Sequence, residues 1–334
     1  MGRLPLLLLA TAALLAGCGG SSASKDPVSQ VPAAGGLQAK VRAARAVTAA
    51  DFPAVRGRTL QEVANSAGSG GPELGMATSV FTVGANRVAF GIIDSRSGFV
   101  YGKTALYVAP EPGAKAAGPY PAPADVLLTQ GRYRSKQAAT EADPFAAVYA
   151  AQVPFTKPGK YSILAVTKEG AKTVAAPGQI NVLTKAEDRI PEVGDRPPAN
   201  LQTDTLASAR GDIASIDTRQ PPDDMHQHSF AAVLGKRPIA LVIATPQLCQ
   251  SRVCGPVVDV AEQMKARYGK QVEFIHQEVY EKNNPKLGLR EPLKRLNLAT
   301  EPWLFMVDKQ GRITARLEGS FGIAAFEKAL KTAL

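Results

Sequence analysis

The chain has 334 residues, 45% hydrophobic and 20% charged, with 25 prolines, 30 glycines and 3 cysteines. That length predicts about two domains, the composition excludes a wholly disordered chain, and three cysteines are too few for a disulfide-dense scaffold. The formal net charge is +10, but there is no Lys/Arg-rich run and no basic stretch interleaved with aromatics, so nucleic acid is not an expected partner.

Residues 1–17 carry Arg3 and then an almost wholly apolar run from Leu4 to Gly17. The run is shorter than the ~20 residues of a membrane span and has the form of a signal-peptide core. It ends in Leu15-Ala16-Gly17-Cys18, followed by Gly19, Gly20, Ser21 and Ser22. This tetrad resembles the lipobox of bacterial lipoproteins. The resemblance implies that Cys18 is acylated, becomes the first residue of the mature chain and anchors it to the membrane of the cell envelope. Two or three acyl chains make a stable anchor where one is marginal. Residues 18–36, rich in Ser, Gly, Ala and Pro, are expected to form a disordered tether.

Residues 37–76 show short helical patterns, the clearest being Thr59-Leu60-Gln61-Glu62, with Thr59 as N-cap and Glu62 at capping-box spacing. From 77 to 183 the texture is β. Met76–Val83, Arg87–Ile93, Tyr101–Val108, Ala146–Val153, Tyr161–Thr167 and Gln179–Leu183 are short strand-like runs, with Gly84-Ala85-Asn86 reading as a turn. The proline-rich stretch 109–145 is expected to be an irregular insertion. Short strands without intervening helices predict an antiparallel β-sandwich that looks immunoglobulin-like or fibronectin-like at the level of the fold. Residues 184–228 form a charged connector whose Leu201, Leu206, Ile213 and Ile216 are expected to pack on the next domain.

Residues 229–334 alternate in period: strand 238–245, helix 253–268, strand 272–279, helix 291–298, strands 303–307 and 313–317, helix 324–334. Three local features accompany this order. Cys249 follows the first strand at the start of the next helix, Pro256 lies within that helix, and Thr300-Glu301-Pro302-Trp303 precedes the third strand. Together they resemble the thioredoxin fold, giving a mixed chain with an α/β thioredoxin-like domain at its C-terminal end. The resemblance implies a cis Glu301–Pro302 bond facing the cysteines, with Pro302 shaping a substrate groove.

A thiolate is the reactive form of cysteine, and a helix N-terminus favours it. Arg252 lies close enough to help. The motif here is Cys249-x4-Cys254, whereas thioredoxins carry Cys-x-x-Cys. In an intact helix, residues five apart have Cα atoms about 8–9 Å apart. A disulfide wants ~4.4–6.8 Å. The pair can therefore bond only if Cys249 lies outside the regular helix or the first turn unwinds.

The string Thr245-Pro246-x-x-Cys249-x4-Cys254-Gly255 is also similar to bacterioferritin-comigratory peroxiredoxins, which would make Cys249 peroxidatic and Cys254 resolving. The arginine of that family before the third strand is absent. Sco-type copper chaperones are a third resemblance, with soft thiolates suited to Cu(I). They would draw His226 and His228 toward Cys249 and Cys254, yet no histidine follows His276, where that family keeps its ligand. Otherwise His226 and His228 read as exposed connector residues, and His276 as a packed strand residue. Trp303 reads as a core residue beside the site, able to report its redox state. The expected activity is thiol–disulfide exchange with client thiols or disulfides and no cofactor. The alternatives are thiol peroxidase, copper handling, non-enzymatic binding or a structural disulfide.

Overall fold

The computed structural model describes residues 26–67, 71–96, 98–139 and 145–334. Cys18 and the signal peptide expected over residues 1–17 lie outside them. Among the described residues no helix is long and apolar enough to cross a membrane.

Part of the segment expected to be a disordered tether packs on the body, while residues 33–36 are exposed. Val28 and Val31 are buried in the first hydrophobic cluster, and Asp26 accepts ion pairs from Arg42 and Arg45 of helix α1 (Leu37–Arg45). Helix α2 (Leu60–Ser66) starts with the reciprocal Thr59/Glu62 capping box.

Among the described residues nine strands come next, in two sheets. Strands β1 (Glu73–Met76), β3 (Gly84–Ile93), β7 (Ala147–Phe155) and β6 (Ala124–Val126) form one, in the order β1-β3-β7-β6. Strands β2 (Phe81–Thr82), β9 (Lys172–Leu183), β8 (Gly159–Glu169), β4 (Lys103–Ala109) and β5 (Ala117–Pro121) form the other, in the order β2-β9-β8-β4-β5. Phe90 and Tyr149 of the first sheet and Leu106, Ile163 and Ala176 of the second share one buried cluster, so the two sheets pack face to face.

Three expectations for this half need correction. The described residues of 109–145 hold strands β5 and β6 rather than only an irregular insertion, because Ala124, Val126, Leu127 and Leu128 are buried. Gly84-Ala85-Asn86 opens β3 instead of forming a turn; Gly84 takes φ +122, and Asn86 folds back to bond Thr82. The sandwich is not wholly antiparallel, since β2 pairs with β9 in parallel at Phe81–Val182 and Thr82–Leu183.

The second half runs α3 (Phe230–Val233), β10 (Ile239–Ile243), α4 (Cys254–Tyr268), β11 (Glu273–Gln277), α5 (Glu291–Arg295), β12 (Trp303–Val307), β13 (Ile313–Glu318) and α6 (Ile323–Lys331). The sheet order is β11-β10-β12-β13, with β10 parallel to β11 and antiparallel to β12. Alternation along each strand divides the core. Ala240, Val242, Leu304 and Met306 face α4 and α6, whereas Ile239, Leu241, Ile243 and Phe305 face the opposite cluster with α5. Pro256 stands in the first turn of α4, where a missing N–H leaves no bond unmade, so it does not kink the helix interior.

The connector wraps this domain. Leu201 and Ile216 are buried, while Leu206 remains 37% exposed and Ile213 is half-buried, so only part of its expected apolar set packs. The halves are joined by buried polar contacts. Asp125 of β6 accepts the N–H groups of Gly322, Ala324 and Ala325 at the start of α6. Glu318 of β13 accepts those of Ser79 and Val80.

Candidate redox site

Strand β10 delivers the chain to Ala244-Thr245-Pro246-Gln247-Leu248-Cys249, and the N–H of Cys249 bonds the Thr245 carbonyl at 3.1 Å. The expected helix start at Cys249 is displaced. Arg252 takes φ 60, which a continuous right-handed helix does not admit, and α4 begins only at Cys254. Residues 250–253 therefore fold back as turns. This resolves the spacing problem, because Cys249 lies outside the helix and its sulfur comes within 4.8 Å of that of Cys254.

Both cysteines are free thiols and buried, Cys249 at 7% exposure and Cys254 at 0%. Their electrostatics diverge. The Cys249 thiol is held down at about 6, chiefly by a hydrogen bond from the Cys254 thiol. The Ser251 hydroxyl, 3.2 Å from its sulfur, and the N–H groups of Cys254 and Val253 at the head of α4 help against the cost of burial. Burial pushes the Cys254 thiol well above its ordinary value, and its hydrogen bond to Cys249 pushes the same way. One sulfur is thus an anion near neutrality, and the other holds its proton.

The Glu301–Pro302 bond is cis. Glu301 adds a third group to the pair: one of its carboxylate oxygens lies within 4.8 Å of both sulfurs. Burial and the neighbouring Cys249 raise the Glu301 carboxyl to about 6. Sequence reasoning missed Glu301, although its place directly before a cis-proline expected to face the cysteines was a usable signal. The three groups together could hold a soft metal ion.

A cleft of about 360 Å³ opens beside the pair, lined by Ser251, Val253 and Glu301 on one side and by Met76, Phe99 and Phe145 of the sandwich on the other. That the first domain forms one wall had no signal in the sequence.

The remaining residues are dispersed. Trp303 is buried, stacked on Phe305 at 5.6 Å, and belongs to the cluster on the face of the sheet opposite the cysteines. Alternation along β12 turns it away from the pair, correcting its placement beside the site. His226, expected to be exposed, is 1% exposed, because the connector folds under Met225 into the core. His228 stays exposed and bonds Glu273 at 2.8 Å. His276 is fully buried in β11. His226 groups with Asp217, Asp223 and His276, separately from the cysteines, so the copper ligand set of His226 and His228 with the two thiols is not assembled.

No family model and no curated protein matches the chain. Solved structures with local similarity include a DsbE thiol:disulfide interchange protein from Chlorobium tepidum (14% identity, TM-score 0.30, 43% of this chain and 98% of that one). A thioredoxin-family thiol:disulfide interchange protein from Chlorobium tepidum TLS (16%, 0.26, 32% and 85%) is similar over the same kind of span. So is MTB DsbF in mixed oxidized and reduced forms (15%, 0.27, 41% and 99%). At these scores the fold rests on the strand order described above, and the chemistry rests on the site's own geometry.

Proposed function

We propose that this protein is a thiol–disulfide oxidoreductase of a bacterial cell envelope, anchored by lipid on Cys18, with an immunoglobulin-like domain ahead of its thioredoxin-like domain. The observation that carries the redox reading is the divided pair: Cys249 held down at about 6 and Cys254 pushed well above its ordinary value, with the sulfurs within 4.8 Å. A structural disulfide has no use for that asymmetry, and an exchange catalyst needs it. The anchor reading rests on the lipobox-like Leu15-Ala16-Gly17-Cys18.

The Cys249 thiolate attacks one sulfur of a client disulfide, forming a mixed disulfide and releasing the client's other thiolate. Cys254 then gives up its proton, with the Glu301 carboxylate as the nearby acceptor, and its sulfur attacks Cys249. The client leaves as a dithiol, and the pair is left as a Cys249–Cys254 disulfide. Run backwards, the same steps oxidise a client dithiol. In this reading Pro302, held by the cis Glu301–Pro302 bond, shapes the groove that receives the client.

A Cys254→Ser variant should accumulate a Cys249-linked mixed disulfide that reducing agent dissolves and the Cys249→Ser variant lacks. No trapped species, together with no reducible Cys249–Cys254 bond by mass spectrometry, would overturn the proposal. Thiol-dependent peroxide consumption by the wild type would assign the pair to peroxidase chemistry instead.

A further inference from the structure

A second cluster of chemistry-bearing side chains lies apart from the cysteines. Asp217, Asp223 and His226 of the connector and His276 of β11 are all buried, and each offers one ligand atom within 4.8 Å of the others. His226 Nε2 stands 3.6 Å from Asp217 Oδ2 and 3.4 Å from Asp223 Oδ1. His276 Nδ1 stands 3.9 Å from Asp217 Oδ1 and 2.7 Å from Asp223 Oδ2. The cluster contains an anomaly. His226 is 1% exposed, yet neither of its ring nitrogens has a hydrogen-bond partner. A buried imidazole left so is costly, and native structures seldom tolerate it without a ligand or an ordered water.

We infer that Asp217, Asp223, His226 and His276 form a closed structural site for a divalent transition-metal ion of the zinc class.

Two imidazoles and two carboxylates are a borderline N/O donor set that suits zinc and excludes a thiolate-seeking ion. Metal–ligand bonds of ~2.0–2.2 Å around a tetrahedral ion put ligand atoms about 3.3–3.6 Å apart. The measured pairs reach one oxygen of each carboxylate from His226 and the other oxygen from His276, so each carboxylate turns one oxygen toward the ion, and the four ligand atoms draw in from a set that already lies within 4.8 Å. Two carboxylates and two neutral imidazoles also cancel the charge of a divalent ion, so the filled site buries no net charge.

The surrounding bonds orient the ligands. His276 Nε2 faces the Ala244 carbonyl at 3.2 Å and Nδ1 meets Asp223 Oδ2 at 2.7 Å, so the ion would take the place of the proton shared between Nδ1 and that carboxylate. The Asp217 carboxylate accepts the N–H groups of Arg219 and Asp223, and Asp223 accepts that of Met225. The ion would staple the connector to β11. With every ligand buried there is no open position for substrate, and metal would be captured during folding.

The test uses the full chain, unfolded in guanidinium and refolded with Zn²⁺ or with a chelator, then desalted and analysed for metal by mass spectrometry. One zinc per chain is expected in the wild type and in the Cys249→Ser/Cys254→Ser variant, with a higher melting temperature than the chelated protein. His226→Gln disturbs no hydrogen bond and should still fold, while binding zinc at least tenfold more weakly. A wild type that refolds with no bound zinc would overturn the assignment. So would a His226→Gln variant that holds a full equivalent, or loss of metal in the double cysteine variant. Should His226→Gln fail to fold, Co²⁺ substitution of the wild type decides. A tetrahedral spectrum without thiolate charge transfer supports the site, and a thiolate band refutes it.

Discussion

Replacing Cys254 by alanine removes the largest influence that holds the Cys249 thiol down at about 6. A hydrogen bond to a charged acceptor is worth ~1.5–3 kcal/mol, and each pH unit of titration midpoint is about 1.36 kcal/mol, so the Cys249 midpoint should rise to between about 7 and 8. At pH 7 the thiolate fraction then falls from about nine-tenths to between about a half and a tenth. The assay is the pH profile of iodoacetamide alkylation, read at Cys249 by peptide mass spectrometry. A roughly two- to tenfold drop in rate is expected at pH 7, with none at pH 10. Cys254→Ser keeps a hydroxyl donor and should shift the midpoint less. A midpoint in Cys254→Ala that matches the wild type, or a serine variant that moves as far as the alanine one, would refute the reasoning. The same linkage reaches stability. Because the folded protein titrates Cys249 below its unfolded value of 9.0, its contribution is present above that value and is lost as pH falls through about 6. The reduced protein should therefore gain about 3 kcal/mol from this group between pH 6 and 8.5, a window below the range where Cys254 ionises.

Glu301→Gln removes a half-buried negative charge beside Cys249, so the alkylation midpoint should move below about 6, while release of a trapped client by Cys254 slows. An unchanged midpoint would separate Glu301 from the pair. Asp125→Ala uncaps α6 by removing the acceptor of three backbone N–H groups and takes a favourable charge from the half-buried Arg87, which should cost about 3 kcal/mol in urea unfolding. A cost under about 0.5 kcal/mol would refute the lock between the domains. Gly255→Ala places a Cβ 2.3 Å from the Gln137 carbonyl oxygen, a contact that must open, and should destabilise by ~1–3 kcal/mol. A melting temperature equal to the wild type would show that the 130–137 segment yields freely.

Much of the C-terminal domain was legible because each element there keeps one period. Ile239–Ile243 is a short apolar run, and Val257, Val260, Ala261 and Met264 recur at helical spacing. The cysteines and Glu301–Pro302 could be grouped because strand ends place them there. What escaped was non-local. His226 looked exposed because its flanks, Asp223-Asp224 and Gln227-His228, are polar, and nothing nearby shows that Met225 anchors the segment in the core. Strands β5 and β6 hid behind prolines, which are tolerated on the edge positions those strands occupy in their sheets. Trp303 was misplaced by thinking along the chain: next to Pro302 in sequence, it faces the other way across the sheet.

The contacts between sandwich and α4 have a mechanical consequence. The Ser135 N–H is held by Asp259 at 3.0 Å, the Gln130 N–H by Gln263 at 2.8 Å, and the Gln137 backbone rests against Gly255, the residue after Cys254. These contacts tie residues 130–137 to the first three turns of the helix that carries the second sulfur. The front domain thus braces the helix whose first residue donates the hydrogen bond that makes Cys249 an anion.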